Sequence, residues 1–220
     1  MLVYFVRHGE SASNAAPGGM ALPLDRGDRL TERGFEQARA VAERLGDAGA
    51  TRVLASPLRR ARETAEVIAE RLGLEITEVE ELRELRESDG FGELSLPHQR
   101  LRRWSEWMAE HGDDPDHSYR GGESFNEITE RVRGLQARLV SDAVESTIAV
   151  SHGIFMRFFL MEVLFAGAFR PAQVRDLWQL ASVNCGVCGF DYLDPDLAAT
   201  YARRPWRCLS WMAPAPTRAP

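Results

Sequence analysis

Five consecutive apolar or aromatic residues near the start of the chain, Leu2-Val3-Tyr4-Phe5-Val6, run without alternation and stop at Arg7-His8-Gly9-Glu10. A short unbroken apolar run bounded by polar residues fits a strand covered on both faces, the kind found inside α/β sheets. The pattern returns at Thr147-Ile148-Ala149-Val150-Ser151, which stops at His152-Gly153. Between the two runs the period lengthens. Thr31 can cap a helix running to about Leu45, with Phe35, Ala38, Val41, Ala42 and Leu45 on one stripe and Gly46 ending it. Residues 51–55 predict a second strand. Ser56-Pro57 then predicts a capped helix start, with Ala61, Ala65, Ile68, Ala69 and Leu72 inward and Gly73 at its close. Residues 74–79 read as a third strand. Gly121-Gly122-Glu123-Ser124 opens a helix to about Ser141, where Glu123 and Ser124 have a capping or pocket role. A buried helix follows from about Ile154, then a helical turn from Pro171, two late strands within 180–192 and an edge segment at 206–211. Strands alternating with helices indicate the α/β class. Residues 15–29 are rich in Gly, Pro and Ala without periodicity, so they predict a loop, one that overhangs the strand ends.

At 220 residues the chain has room for one α/β domain with a full core. Its 44% hydrophobic and 27% charged residues are ordinary for a globular protein rather than a disordered one. No apolar run reaches the roughly eighteen residues that a membrane span requires, and the most apolar window, 154–169, contains Arg157 and Glu162. The N-terminus lacks a basic start and a cleavage site, which makes the cytoplasm the expected location. A formal net charge of -6 argues against nonspecific binding to nucleic acid or anionic membranes, while leaving room for a local positive pocket. All 27 basic residues are arginine, so neither a Schiff-base lysine nor a P-loop lysine exists. The three cysteines include Cys185-Gly186-Val187-Cys188, with neither a neighbouring helix N-terminus nor a second ligand pair evident. They read as small buried residues of a strand.

Ligands of α/β sheets bind at the carboxyl ends of the strands. There, Arg7-His8-Gly9 supplies a guanidinium, an imidazole and a glycine that lets backbone amides approach an anion. One histidine at a strand end is more often structural. Two His-Gly ends with arginines nearby favour a phosphate site. Arg59 and Arg60 fall in the first turn of the Ser56 helix, where the helix end already favours anions; Arg59 is expected to face solvent. The acids Glu80, Glu81, Glu84 and Glu87 reach the same sheet edge, and most of such a charge run belongs to a solvated face. Trp104, Trp107 and Met108 at helical spacing predict a helical lid within 94–118, its aromatics packed on the main body. His98, His111 and His117 belong to this segment and are expected in solvent.

Five motifs now stand in order: R-H-G-E-S-A-S-N from Arg7, L-T-E-R-G-F-E-Q-A from Leu30, S-P-L-R-R-A-R-E-T-A from Ser56, G-G-E-S from Gly121 and V-S-H-G from Val150. With them the chain resembles the histidine phosphatase superfamily, the phosphoglycerate-mutase-like proteins. The resemblance implies a three-layer α/β/α sandwich with a mostly parallel central sheet. It would be one domain over 1–220, with a lid insertion at about 94–118 and a disordered tail at about 214–220. It implies His8 as nucleophile, with Arg7, Asn14, Arg60, His152 and Gly153 holding the phosphoryl group. The acid/base is Glu84 or Glu87: Glu84 fits the distance from the preceding helix, and Glu87 fits the glycine-containing stretch after it. The implied reaction is metal-independent hydrolysis of a phosphomonoester through a phosphohistidine, with no cofactor. No metal-ligand spacing appears in the chain. A phosphoglycerate-type mutase and a catalytically silent phospholigand-binding protein are the alternatives. The partner is a small phosphate ester or a phosphoprotein. Which one, and the oligomeric state, stay open, because the pocket walls come from 15–29 and 94–118.

Overall fold

The computed structural model describes residues 1–15, 28–86, 112–118, 121–200 and 204–213. The Leu2–Val6 run forms the centre of β1 (Leu2–Arg7), followed by a short α1 (Ala12–Ala15) and the amphipathic α2 (Glu32–Arg44). Thr31 caps α2 by accepting from Gly34 N, as its position predicts. β2 (Arg52–Ala55), α3 (Arg59–Leu72) and β3 (Ile76–Glu78) follow, then a 3-10 turn at Glu80–Leu82. Further along the chain come α4 (Phe125–Asp142), β4 (Ser146–Ser151), α5 (Gly153–Phe165) and a 3-10 segment (Pro171–Gln179). The chain closes with β5 (Val187–Tyr192), α6 (Pro195–Thr200) and β6 (Trp206–Ala213).

The six strands lie in the order β3-β2-β4-β1-β5-β6. The first four are parallel, and β5 and β6 are antiparallel to their neighbours. The mostly parallel sheet and the α/β fold are therefore as expected. The two core clusters lie on opposite faces. One packs Phe5, Phe155, Phe159 and Phe190 with Ile128, Val132, Leu135 and Leu139 of α4. The other packs Val6, Ile148 and Val150 with Ala38 and Val41 of α2 and Ala61, Ala65 and Ile68 of α3. Alternate residues of β1 feed opposite clusters, which is why its sequence shows no alternation. β1 and β4 are adjacent and in register, with Arg7 opposite Ser151. Both His-Gly ends thus emerge side by side.

Several local expectations change. The helix after Ser56-Pro57 starts only at Arg59; Leu58 is its N-cap residue, without a side-chain cap. The Ser56 hydroxyl, placed two residues too early to cap, goes instead to His152. The helical turn expected from Pro171 is a 3-10 segment ending at Gln179, and within 180–192 only β5 is a strand, because Cys185 sits in a turn at φ 54°. Cys185 is therefore not a strand residue, although both Cys185 and Cys188 are buried and burial pushes both thiols up to about 12. The segment at 206–211 is a full edge strand, β6. His117 is half-buried rather than fully in solvent. Glu87, His98, Trp104, Trp107, Met108, His111 and the tail at 214–220 lie outside the described residues. No helix among the described residues is long and apolar enough to cross a membrane.

Candidate active site

The turn after β1 is held by close backbone approach. A Cβ on Gly9 would stand 2.6 Å from the Gly34 carbonyl oxygen, and one on Gly34 would stand 2.1 Å from that of Glu10. Two glycines let α2 press against the Arg-His-Gly turn. Gly9 N donates to Thr64 Oγ1 (3.0 Å), and that hydroxyl donates to the Arg60 carbonyl (2.8 Å), so the turn is tied to the first turns of α3. His8 N donates to Ser151 O (3.0 Å), which ties the two His-Gly ends together.

His8 is 3% exposed and His152 0%. Their ring centroids lie 5.2 Å apart, tilted by 53°. His8 Nδ1 sits 2.8 Å from the Gly9 carbonyl, and its Nε2 is 3.1 Å from Arg60 Nε. A guanidinium can only donate, and a carbonyl can only accept. His8 therefore carries its proton on Nδ1 and its lone pair on Nε2. Burial, then the Arg60 and Arg7 guanidiniums, hold this imidazole well below its ordinary pKa, so it is neutral near pH 7. His152 is shifted the same way by burial, Arg60, His8, Arg7 and Arg131. Its Nε2 is 2.8 Å from Ser56 Oγ, which also accepts from Leu58 N.

Arg60 enters from the second position of α3, is 3% exposed and has Nη1 3.5 Å from Asp28 Oδ2. Asp28 is buried and also accepts from Ser13 N (3.0 Å) and Ser13 Oγ (2.6 Å). Arg59 pairs with Glu63 at the surface, at 2.8 Å, matching its expected exposure. Arg7 Nη1 donates to Ser182 O at 2.7 Å. Three buried polar atoms have no hydrogen-bond partner among the described residues here: Arg7 Nε, Ser182 Oγ and His152 Nδ1. A Cβ on Gly153 would lie 3.0 Å from Ser182 Oγ and 3.5 Å from Arg7 Nε, so the glycine keeps open the space into which two of these atoms face. Unpaired buried polar atoms are costly, and a cluster at a helix N-terminus has the make-up of an anion cradle.

Glu84 joins from the loop after the 3-10 turn. Its Oε2 accepts from Ile154 N (3.2 Å) and its Oε1 from Phe155 N (3.0 Å), capping α5 next to His152 and Gly153. Its charge is felt at Arg7 and at Arg157. Asn14 lies farther out and is exposed; its Oδ1 accepts from Asn184 Nδ2 (3.1 Å), which also donates to the His8 carbonyl (3.0 Å). The structure thus gathers Arg7, His8, Arg60, Glu84, His152 and Gly153, with Asn14 linked at the rim. Among the described residues no group of three or more His, Cys, Asp or Glu is placed to hold a metal ion.

Residues 3–199 match the family described as Histidine phosphatase superfamily (branch 1). The chain belongs to the histidine phosphatase superfamily. Within this superfamily it is 31% identical over 212 residues to the Probable phosphoglycerate mutase GpmB of Serratia proteamaculans, covering 96% of this chain and 89% of that protein. A mycobacterial glucosyl-3-phosphoglycerate phosphatase solved with inorganic phosphate superposes at a TM-score of 0.72 with 25% identity, over 97% of this chain and 98% of that one. The alpha-ribazole phosphatase of Shigella flexneri shares the fold at a TM-score of 0.75 and 21% identity, with 100% of both chains covered. The proteins it is similar to therefore carry both mutase and phosphatase names.

Four residues that sequence reasoning assigned no site role now contribute: Ser56, Thr64, Asp28 and Ser182. Ser56 and Thr64 stand inside a recognised motif, where their position was visible and their partner was not. Asp28 and Ser182 lie in stretches without periodicity, and nothing local marks them.

Proposed function

We propose that this chain hydrolyses phosphate monoesters through a phosphohistidine formed on Nε2 of His8. The observation that carries the reading is the fixed tautomer of a buried, neutral His8, whose lone-pair nitrogen faces Arg60. Nε2 attacks phosphorus, and the N–P bond forms as the bond to the ester oxygen breaks. The leaving alkoxide takes the proton of the Glu84 carboxyl. Glu84, then a carboxylate, takes a proton from water as the water oxygen attacks phosphorus; the N–P bond breaks, and phosphate and neutral His8 are released. Arg60 moves its Nε–H from His8 to a phosphoryl oxygen as substrate enters, and a second N–H of its guanidinium reaches another oxygen. Arg7 Nε, the His152 ring and the N-terminus of α5 beside Gly153 take the remaining oxygens, spreading hydrogen-bond donors over the charge of the transfer. Asn14 closes the rim. Glu84 is preferred over Glu87 as the acid/base because its carboxylate sits against the amides that follow His152 and Gly153.

The mutase names among its relatives make a phosphoglycerate-type mutase the second reading. Phosphate release from a panel of phosphomonoesters in the presence of EDTA, compared between the native chain and His8→Ala, tests both. Release that persists in EDTA and disappears in the variant is expected. Transfer between phosphoglycerate positions without release of phosphate would favour the mutase, and neither reaction in a folded protein would favour a silent binding protein.

A further inference from the structure

We infer that Glu123 and Arg131 are positioning residues for Glu84, a role that rests on Glu84 being the acid/base. Glu84 lies beyond the Glu80–Leu82 turn in a stretch with no helix or strand of its own. Its backbone must be fixed from outside. Arg131, on α4, donates from Nη1 to the carbonyls of Glu81 (2.8 Å) and Arg83 (2.7 Å), the residues just before Glu84. Its Nε and Nη2 grip both oxygens of Glu123, at 2.7 and 2.6 Å. Glu123 then accepts from Arg86 N (3.1 Å) through its carboxylate and donates its own N–H to the Arg86 carbonyl (2.8 Å). The two side chains therefore clasp the backbone on both sides of Glu84.

The clasp also touches what Glu84 touches. The Arg131 guanidinium lies over the Phe155 ring, 4.9 Å from its centroid, and the Phe155 amide is one of three, with those of Ile154 and Leu85, that hold the Glu84 carboxylate. With side chains 18% and 8% exposed, the pair is largely withdrawn from water, where a bidentate grip is stronger than at the surface. α4 has no need of it for docking, since Ile128, Val132, Leu135 and Leu139 are fully buried in the core. An ion pair that serves only stability and one that aims an acid make different kinetic predictions. Loss of the acid slows the departure of a poor leaving group far more than that of a good one, because only the poor one needs the proton.

The test compares kcat/KM for p-nitrophenyl phosphate and glycerol phosphate in the native chain, Arg131→Lys, Glu84→Gln and the double variant, with Tm measured for each. Lysine keeps a cation beside Glu123 but lacks the planar fork that reaches two carbonyls and a carboxylate together. Arg131→Lys is expected to lower the alkyl ester on the order of tenfold and the nitrophenyl ester less than about threefold, a part of the roughly 10²–10⁴ that general acid catalysis contributes. In the Glu84→Gln background it should cost nothing further. Equal losses on both esters, or full additivity with Glu84→Gln, would overturn the positioning role. If Glu84→Gln alone lowers both esters equally, Glu84 is not the acid and the positioning role falls with it. Should Arg131→Lys fail to fold, Glu123→Gln carries the same comparison.

Discussion

Replacing Arg60 with methionine removes two things that can be measured separately. The side chain is almost wholly buried and stands between His8 Nε2 and Asp28. In the proposed reaction it supplies two N–H bonds to phosphoryl oxygens. Hydrogen bonds to charged groups are worth about 1.5–3 kcal/mol each, so kcat/KM should fall by roughly 10²–10⁴. Breaking a buried ion pair from one side costs about 3–5 kcal/mol. The lower end applies, because the Arg60–Asp28 contact is 3.5 Å long and Asp28 keeps both bonds from Ser13. For a chain of this size about 3 kcal/mol corresponds to a fall in Tm of roughly 6–12 °C. The second variant separates the effects: Asp28→Asn in the Arg60→Met background removes the stranded charge and should restore most of the Tm while leaving kcat/KM low. His8 adds a third reading. Arg60 helps hold its pKa down, so without Arg60 that pKa rises and the acid limb of the pH–rate profile moves to higher pH. The assays are phosphate release across pH and thermal unfolding. Recovery of kcat/KM on adding Asp28→Asn, or a loss of less than tenfold in Arg60→Met, would refute the assignment of Arg60 to the phosphoryl group.

Three further outcomes follow from the same geometry. Gly34→Ala puts a methyl 2.1 Å from the Glu10 carbonyl, a backbone atom that cannot swing aside; it should destabilise the fold by at least about 1–3 kcal/mol and lower kcat by loosening the His8 turn, seen as a fall in Tm together with activity. Gly153→Ala crowds Ser182 Oγ and Arg7 Nε at 3.0 and 3.5 Å, so it should raise KM and weaken inhibition by inorganic phosphate with little change in Tm. His8 and His152 both have folded pKa values well below those of the unfolded chain. Below about pH 6.5 the unfolded state therefore binds protons that the folded state refuses, and stability should fall with pH by up to about 1.4 kcal/mol per unit for each ring until the folded pKa values are reached. Unfolding free energy measured between pH 7.5 and 5 should show that slope in the native chain and a reduced one in His152→Asn.

Much of this arrangement is written locally. The apolar runs of β1 and β4, the Thr31 cap and the small-residue stripe of α3 each follow from period and composition, and two parallel neighbours ending in His-Gly place both imidazoles together. Arg60 was legible because a helix start and a motif agree there. What the chain hides is pairing across distance. Ser56 reads as a cap until the start of α3 slips to Arg59 and frees its hydroxyl for His152. Asp28 sits at the end of an aperiodic stretch, and only the fold brings it to Arg60. Spacing leaves Glu84 and Glu87 as alternatives, since a loop carries no period; capping of α5 by Glu84 is a contact across 70 and 71 residues. The run at 180–192 yields one strand instead of two, because the chain turns at Cys185 with φ 54° and only Val187–Tyr192 pairs in the sheet.

In the proposed reaction phosphorus becomes bonded to Nε2 of His8. The most direct measurement mixes the protein with a ³²P-labelled phosphomonoester, quenches within milliseconds in alkali, where phosphohistidine survives, and maps the label by peptide sequencing. A transient, acid-labile label is expected on the peptide carrying Arg7-His8-Gly9, absent in His8→Ala and retained in His152→Ala. Turnover without any label, or a label that stays when His8 is replaced, would contradict it.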